Sequence, residues 1–339
     1  TTLTTNADGT TVINRGVTSS GNQTYNDNVT FNGARTLTSS SGTVNFGGTV
    51  SGADGTGDEL TIIGNLDLDG AATSNIVSLT VTGNSNLGAN VTTTDDQTYG
   101  GTTTLSTDVT LDSTGDEATD DIGLAAVIGA SGNEDLILDA GALAQITSSG
   151  SITNITDLTI RDSGGATFGG AVTVSNDFII TDTTANTNII FNGALTAGTF
   201  TQSNAVEYNI QLNAGGTITD AVNFSNAGTI TIGDASGTDT MTFTGGLVVT
   251  TPSALTLAQT ITTTNTTMTL GDGDTAITLA GNTTLNAGSG ALNINGALAG
   301  ANNNDSLTLN TTGTTTINGV ISGITTLTTN AGGTTVINR

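Results

Sequence analysis

Short runs of alternating apolar and polar residues occur along the whole chain. Thr43–Phe46, Thr229–Ile232 and Ser306–Leu309 are examples, with Thr, Ser or Asn at every second position. A period of two is typical of strands that bury one face. Gly, Asn and Asp separate these runs, and they are the residues that most readily adopt the positive φ angles of tight corners. The pattern predicts an all-β chain of many short strands.

The run Ile122–Ile128 departs from this alternation. Asp120 and Asp121 precede it and can cap a short helix, whereas a buried strand fits a run of this length equally well. Both alternatives stay open at this level. Pro252, the single proline, falls between alternating runs. It predicts a corner, because proline cannot donate a hydrogen bond to a strand ladder.

A long repeat joins the two ends of the sequence. Residues 1–15 and residues 325–339 agree at 14 of 15 positions, with Asp8 replaced by Gly332. Agreement of this kind indicates one repeat unit of 324 residues, 1–324, followed by the start of the next unit at 325–339. The sequence therefore predicts a tandem array.

Weaker internal sequence similarities within the unit indicate a shorter period. Gln23–Tyr25 returns as Gln97–Tyr99 at an offset of 74, and the segment Leu37–Gly52 aligns with Leu285–Gly300 at an offset of 248. Both offsets are multiples of about 25 residues, which is the size of one three-stranded coil of a β-solenoid. The prediction is a parallel β-solenoid with about 13 coils in each unit. Asn residues at its corners, such as Asn192, Asn295 and Asn318, are expected to form hydrogen-bonded ladders along the stack.

Composition agrees with narrow, layered coils. Aromatic residues make up 3% of the chain and Trp is absent, so Leu, Ile, Val and Ala must fill the interior. A string of immunoglobulin-like sandwiches is the competing fold, but it predicts a period near ~100 residues and a buried aromatic anchor. Neither feature is visible in the sequence.

Charge and missing residue types exclude several function classes. The chain has four Arg, no Lys and a formal net charge of −25, which disfavours nucleic acid and anionic lipid surfaces as partners. It has no Cys and no His, so disulfides, thiolate chemistry, Ser-His-Asp triads and histidine zinc sites are excluded. The sequence contains no run of 18 apolar residues, so it predicts no membrane-inserted segment. The first residues lack Met and a signal segment, so we expect part of a longer secreted precursor.

The most acidic stretch is the one candidate metal site. It contains Asp116, Glu117, Asp120 and Asp121, and oxygen-rich loops of this type can bind Ca²⁺. The spacing differs from that of an EF-hand loop, and the GGxGxD nonapeptide is missing. A solvated acidic loop is the alternative interpretation. No other cofactor is indicated.

Two further functions are open to a solenoid of this composition. Acid pairs such as Asp95–Asp96 and Asp120–Asp121 suggest cleavage of acidic polysaccharides, but Trp, His and Lys are absent and only three Tyr can stack on a sugar. We therefore expect no enzymatic activity. Repeated Thr-x-Thr segments suggest an ice-binding hydroxyl lattice. Their copies do not recur at a constant phase, which favours Thr as an ordinary outward-facing strand residue.

Three strings carry a family resemblance: LTTNAGGTTVINR at Leu327–Arg339, GNQTYNDNVTF at Gly21–Phe31 and SGTVNFGGTVSG at Ser41–Gly52. They resemble the β-strand repeats of very large bacterial surface exoproteins, the filamentous-haemagglutinin-like and autotransporter-passenger proteins. The resemblance implies a right-handed parallel β-helix and export to the bacterial cell surface or beyond. It also implies a role in adhesion or an extracellular matrix.

From these observations we expect an extracellular stalk or fibre, with a self-assembling matrix or sheath filament as the alternative. The expected partners are further copies of the unit, stacked in tandem or head to tail, and a host receptor or glycan.

Overall fold

The computed structural model describes residues 1–68, 70, 72–113, 115, 117–202, 207–329 and 332–338. These residues divide into two units, Thr1–Gly170 and Ala171–Arg339. Both units are parallel β-solenoids, with about 15 turns in all and about 22 residues between successive turns. We call one turn a coil. No helix occurs among the described residues. The predicted fold class is therefore confirmed, with coils somewhat shorter than the predicted length.

The strands of the first unit, β1 to β20 in chain order, are Leu3–Thr4, Thr10–Ile13, Val17–Ser19, Gln23–Tyr25, Asn28–Phe31, Arg35–Phe46, Val50–Gly52, Leu60–Leu68, Thr73–Ser74, Leu79–Val81, Ser85–Leu87, Val91–Thr93, Gln97–Leu105, Val109–Ser113, Ile122–Gly129, Leu136–Gly141, Ile146–Ser148, Ile152–Ile155, Leu158–Ser163 and Ala166–Phe168.

The strands of the second unit, β21 to β41, are Val172–Val174, Asp177–Ile180, Asn188–Phe191, Leu195–Ala197, Thr199–Gln202, Asn209–Leu212, Gly216–Ile218, Val222–Phe224, Thr229–Ile232, Thr240–Phe243, Leu247–Val249, Ala254–Thr263, Met268–Leu270, Ala276–Gly288, Leu292–Ile294, Leu298–Gly300, Asp305–Thr311, Thr314–Ile317, Ile321–Ser322, Ile324–Thr329 and Thr334–Ile337.

Strands of successive coils pair in parallel on three sides. In the first unit, one ladder runs from β3 to β20, a second from β1 to β18, and a third passes through β2, β5 and β7 and, farther along, through β12, β14, β16 and β19. Long strands such as β6 and β13 take part in two ladders and shift register at the corner between them. The second unit repeats this arrangement, with β28 to β41 on its third side.

Coil length varies with the size of the corner loops. Leu60 pairs with Leu79, 19 residues later, whereas Gln97 pairs with Ile122, 25 residues later. The longer coil includes the acidic loop before β15, and such loops bring coils close to the predicted length. The open alternative at Ile122–Ile128 is resolved, because this run lies within strand β15. Pro252 lies at a bend between β31 and β32, as predicted.

The inward-facing residues form a continuous apolar core in each unit. In the second unit, Phe178, Phe200 and Phe224 lie on successive coils with ring centroids 5.6 and 5.7 Å apart. Burial of such side chains is the main stabilising contribution to a solenoid, because each coil covers its neighbour.

Two buried Gln–Tyr pairs explain why the segment Gln23–Tyr25 is repeated at Gln97–Tyr99. The hydroxyl of Tyr25 donates to Gln23 Oε1 at 2.9 Å, and Gln23 Nε2 donates to the carbonyl of Thr38 at 2.8 Å. Tyr99 and Gln97 repeat the first of these bonds at 3.0 Å. The repeated Gln–Tyr pair is therefore a structural element in which buried polar groups bind one another inside the core.

Candidate functional site

The acidic loop predicted to bind Ca²⁺ lies between β14 and β15. Asp120 is buried, and its Oδ2 accepts a hydrogen bond of 2.6 Å from the backbone N–H of Glu117. Asp121 Oδ1 accepts a hydrogen bond of 2.7 Å from the N–H of Gln145 in the next coil. Asp120 and Asp121 therefore both bind backbone groups. Asp116 lies outside the described residues.

Within the part of the chain that the structure describes, no three His, Cys, Asp or Glu side chains are grouped so as to hold a metal ion. Because Asp116 is not among the described residues, the complete set of predicted ligands is not tested. The Ca²⁺ site at Asp116, Glu117, Asp120 and Asp121 stays a prediction.

Asp120 belongs to a recurrent arrangement, in which a buried carboxylate binds the backbone of its own corner loop. Asp58 Oδ2 accepts hydrogen bonds of 3.0 Å from the N–H groups of both Asp54 and Gly55. Glu134 Oε2 accepts one of 2.9 Å from the N–H of Gly132. These carboxylates hold the loops against the coil, since a loop backbone at a corner has no strand partner.

The balance of burial and hydrogen bonding sets the pKa of these carboxyls. Burial raises the pKa of Asp58, but the N–H donors of Asp54, Gly33 and Gly55 favour the charged form more strongly, and its pKa lies below the ordinary value. Glu134 behaves in the same way: burial raises its pKa, and the hydroxyl and N–H of Ser131 outweigh that effect. Both groups are ionised at neutral pH.

Other carboxylates stack along the third ladder of the first unit. Asp112 pairs in register with Asp139, and Arg161 Nη1 lies 3.4 Å from Asp139 Oδ2. Burial raises the pKa of Asp112, the charge of Asp139 raises it further, and Arg161 opposes both. Burial, with a contribution from neighbouring carboxylates, also raises the pKa of Asp96 and of Asp135. Asp112 and Asp139 thus concentrate negative charge on this ladder, and Arg161 partly offsets it.

Asparagine ladders run along the corners of the second unit. Asn318 Nδ2 donates to Asn295 Oδ1 at 2.8 Å, and Asn338 Nδ2 donates to Asn318 Oδ1 at 2.6 Å. Asn213 Nδ2 likewise donates to Asn192 Oδ1 at 2.9 Å. The ladders predicted for Asn192, Asn295 and Asn318 are therefore confirmed.

Threonines of the second unit form two columns on adjacent positions of one side. One column contains Thr173, Thr196, Thr217, Thr242 and Thr262. The other contains Thr240, Thr260, Thr284, Thr308 and Thr328. Within a strand, side chains two residues apart lie about 7 Å from each other, and neighbouring coils are about 4.8 Å apart. The hydroxyls thus lie in register although the sequence copies lack a constant phase.

A similar column in the first unit is interrupted by a glycine. Thr80 and Thr98 pair in register, Thr98 pairs with Gly123, and Gly123 pairs with Thr147. An open groove of about 450 Å³ lies at this glycine, and its lining includes Leu124. Sequence reasoning did not find this groove, because coil register was needed to place Gly123 in the column.

Comparisons with known proteins found no matching family model, no matching curated protein and no matching solved structure. Among the described residues there is also no helix that is long and apolar enough to cross a membrane. The β-solenoid is compatible with a repeat-containing surface protein.

Proposed function

We propose that this chain is a structural or adhesive segment of a bacterial surface stalk or fibre, located outside the cell and built from tandem units. The observation that carries the proposal is the parallel stacking of coils together with the repeat of residues 1–15 at 325–339. A stack of this kind resists extension, because each coil is hydrogen-bonded to its neighbours on three sides. The family resemblance of the sequence supports the same role.

The side chains support a mechanical role rather than catalysis. Asparagine ladders and buried carboxylates such as Asp58 secure the corners, where a solenoid has no strand pairing. The net charge of −25 without Lys opposes lateral aggregation of neighbouring fibres. We propose no catalytic residue. Further copies of the unit are the proposed partner, and a host receptor or glycan is the proposed target if the segment is adhesive.

Proteins with one, two and three tandem units test this proposal. We expect particle length, measured by electron microscopy or small-angle X-ray scattering, to rise by a constant increment for each unit. A stalk without adhesive function binds neither cells nor glycan arrays, whereas an adhesive segment binds as an isolated unit. Particle length that stays constant, or units that collapse on one another, would contradict the stalk. Side-by-side sheets would favour the matrix or sheath filament.

The two threonine columns favour a second candidate, binding to ice. A regular two-dimensional array of hydroxyl and methyl groups spans at least the coils that contain Thr240–Thr242 and Thr260–Thr262. If this surface binds ice, micromolar protein slows the growth of ice crystals, and Thr260→Lys weakens the effect. Unchanged crystal growth would exclude this candidate without affecting the stalk.

A further inference from the structure

The repeated fifteen-residue sequence is seen in two different surroundings. In the first unit, Leu3 pairs with Gln23 and Ile13 pairs with Phe31, so residues 1–15 contact the coil that follows them. In the second copy, residues 325–339, the equivalent residues Leu327 and Ile337 pair with the coil that precedes them. The two copies together show both neighbours of this one coil.

Exposure of equivalent residues shows what the following coil covers. Ile13 is 5% exposed beneath Phe31, whereas the equivalent Ile337 is 60% exposed. Ile337 and Leu327 line a groove of about 240 Å³ together with Ile317, Val320 and Ile321. The groove is therefore an edge of the apolar core, and the first copy shows how such an edge is filled.

A polar contact accompanies this packing. Asp27, in the coil that follows residues 1–15, accepts hydrogen bonds from Thr5 Oγ1 at 2.7 Å and from Thr11 Oγ1 at 2.9 Å. The equivalents of these threonines, Thr329 and Thr335, are exposed. A following coil of the same type would bring a carboxylate to both hydroxyls.

The opposite edge shows the complementary relation. In the second unit, Leu307 pairs with Leu327, and Ile317 pairs with Ile337. The equivalent residues of the first copy, Leu3 and Ile13, therefore match the edge that residues 305–317 form. A contact between unlike edges is heterologous and extends without closing.

We propose that the coil of residues 325–339 joins two successive repeat units directly: it packs on residues 305–317 of one unit and begins the next unit, as residues 1–15 begin the first. We call it the shared coil. This inference rests on the proposed tandem array and names the partner of its free edge, a coil of the type formed by residues 16–31. In the joined protein, the equivalent of Phe31 covers Ile337, and the equivalent of Asp27 binds Thr329 and Thr335. The stack then continues without a linker between units.

Thiol reactivity tests the shared coil, because the chain has no cysteine of its own. The test protein is residues 1–339 followed directly by residues 16–339, so that residues 325–339 supply the start of the second unit. A single Ile337→Cys substitution is placed in the first 339 residues of this protein. The side chain at this position is exposed in the single chain. We expect its reaction with a maleimide to be at least about tenfold slower in the joined protein than in the single chain, since reaction then requires local opening.

Two control variants make this result specific. Val336→Cys should stay reactive in both proteins, because its equivalent Val12 is 59% exposed in the covered first copy. In the joined protein, scrambling residues 16–46 of the second unit should restore fast reaction at position 337. Hydrogen exchange of residues 325–338 provides the same comparison without any substitution.

Equal reaction rates at position 337 in the single and joined proteins, or equal protection by the scrambled segment, would overturn the shared coil. Its failure is distinguishable from failure of the stalk. If particle length rises with unit number while position 337 stays reactive, the stalk stands and the next coil does not pack on residues 325–339. If position 337 is protected but length does not increase, the shared coil stands and the stalk fails.

Discussion

Thr103 provides a direct test of how polar groups are satisfied in the core. It lies in β13 with an exposed fraction of 0%, and its Oγ1 has no hydrogen-bond partner among the described residues. Its register neighbour Ser85 has a buried hydroxyl that is also without a partner. We predict that Thr103→Val stabilises the protein, because valine has nearly the same shape and carries no hydroxyl that would be left unpaired at this position.

The size of the effect follows from desolvation. An unpaired buried hydroxyl costs about 1–3 kcal/mol, so its removal should raise the free energy of unfolding by about 1 kcal/mol after imperfect repacking. Thr283 is the matched control, since it is 2% exposed and its Oγ1 donates to the carbonyl of Gly281 at 3.0 Å. Thr283→Val should lower the free energy of unfolding by about 0.5–1.5 kcal/mol.

Urea unfolding followed by circular dichroism measures both variants. The dependence on urea should keep the same slope, which shows that the same surface unfolds in each protein. Opposite shifts of the midpoint for the two variants are the expected result. A Thr103→Val variant that is less stable than the parent would refute the reasoning and would indicate that bound water satisfies the hydroxyl.

Five further predictions concern the corners, the ladders, the threonine column and the acidic loop. Asp58→Asn should lower the free energy of unfolding at neutral pH. Because the folded-state pKa of Asp58 is lowered, this difference from the parent should disappear as pH falls below about 4. Urea titrations at several pH values measure it. Gly123→Thr should stabilise by about 0.5–1 kcal/mol by completing a threonine column, since an added Cβ meets no atom closer than 3.8 Å. Gly216→Ala should instead lower the melting temperature, because its Cβ would lie 2.0 Å from the carbonyl oxygen of Leu195. Asn318→Ala removes two rungs of a ladder and should cost about 1–2 kcal/mol, with faster hydrogen exchange in the adjoining coils if the rungs stabilise the corner. Removal of Ca²⁺ with a chelator should lower the melting temperature if the predicted acidic site binds it, and an unchanged value would argue against that site.

Much of the fold was accessible from the chain alone. Alternation in runs such as Thr229–Ile232 predicts strands correctly, and the corner positions of Asn295 and Asn318 predict their ladder. These features are local or strictly repetitive, so neighbouring residues suffice to reveal them. The acidic stretch was harder to interpret. Its composition suggested a metal site, but composition does not show that the Asp120 carboxylate faces its own loop and that Asp121 binds Gln145.

Register was the main quantity beyond the reach of sequence. The Thr-x-Thr copies have no constant phase along the chain, yet Thr240, Thr260 and Thr284 lie side by side. Coils differ in length because their corner loops differ, and strand pairing absorbs the difference at the corners. The predicted period of about 25 residues therefore matches the longer coils, whereas the average coil has about 22 residues.

The amino-acid sequence by itself determined that this protein is a parallel β-solenoid with a repeated first coil. Short-range alternation and self-similarity encode that much directly. Only the tertiary structure decided which side chains share a column, which carboxylates face inward, and that Ile337 is exposed where the equivalent Ile13 is covered. The physical reason is that these properties depend on contacts between residues about one coil apart, and the corner loops set that separation differently in each coil.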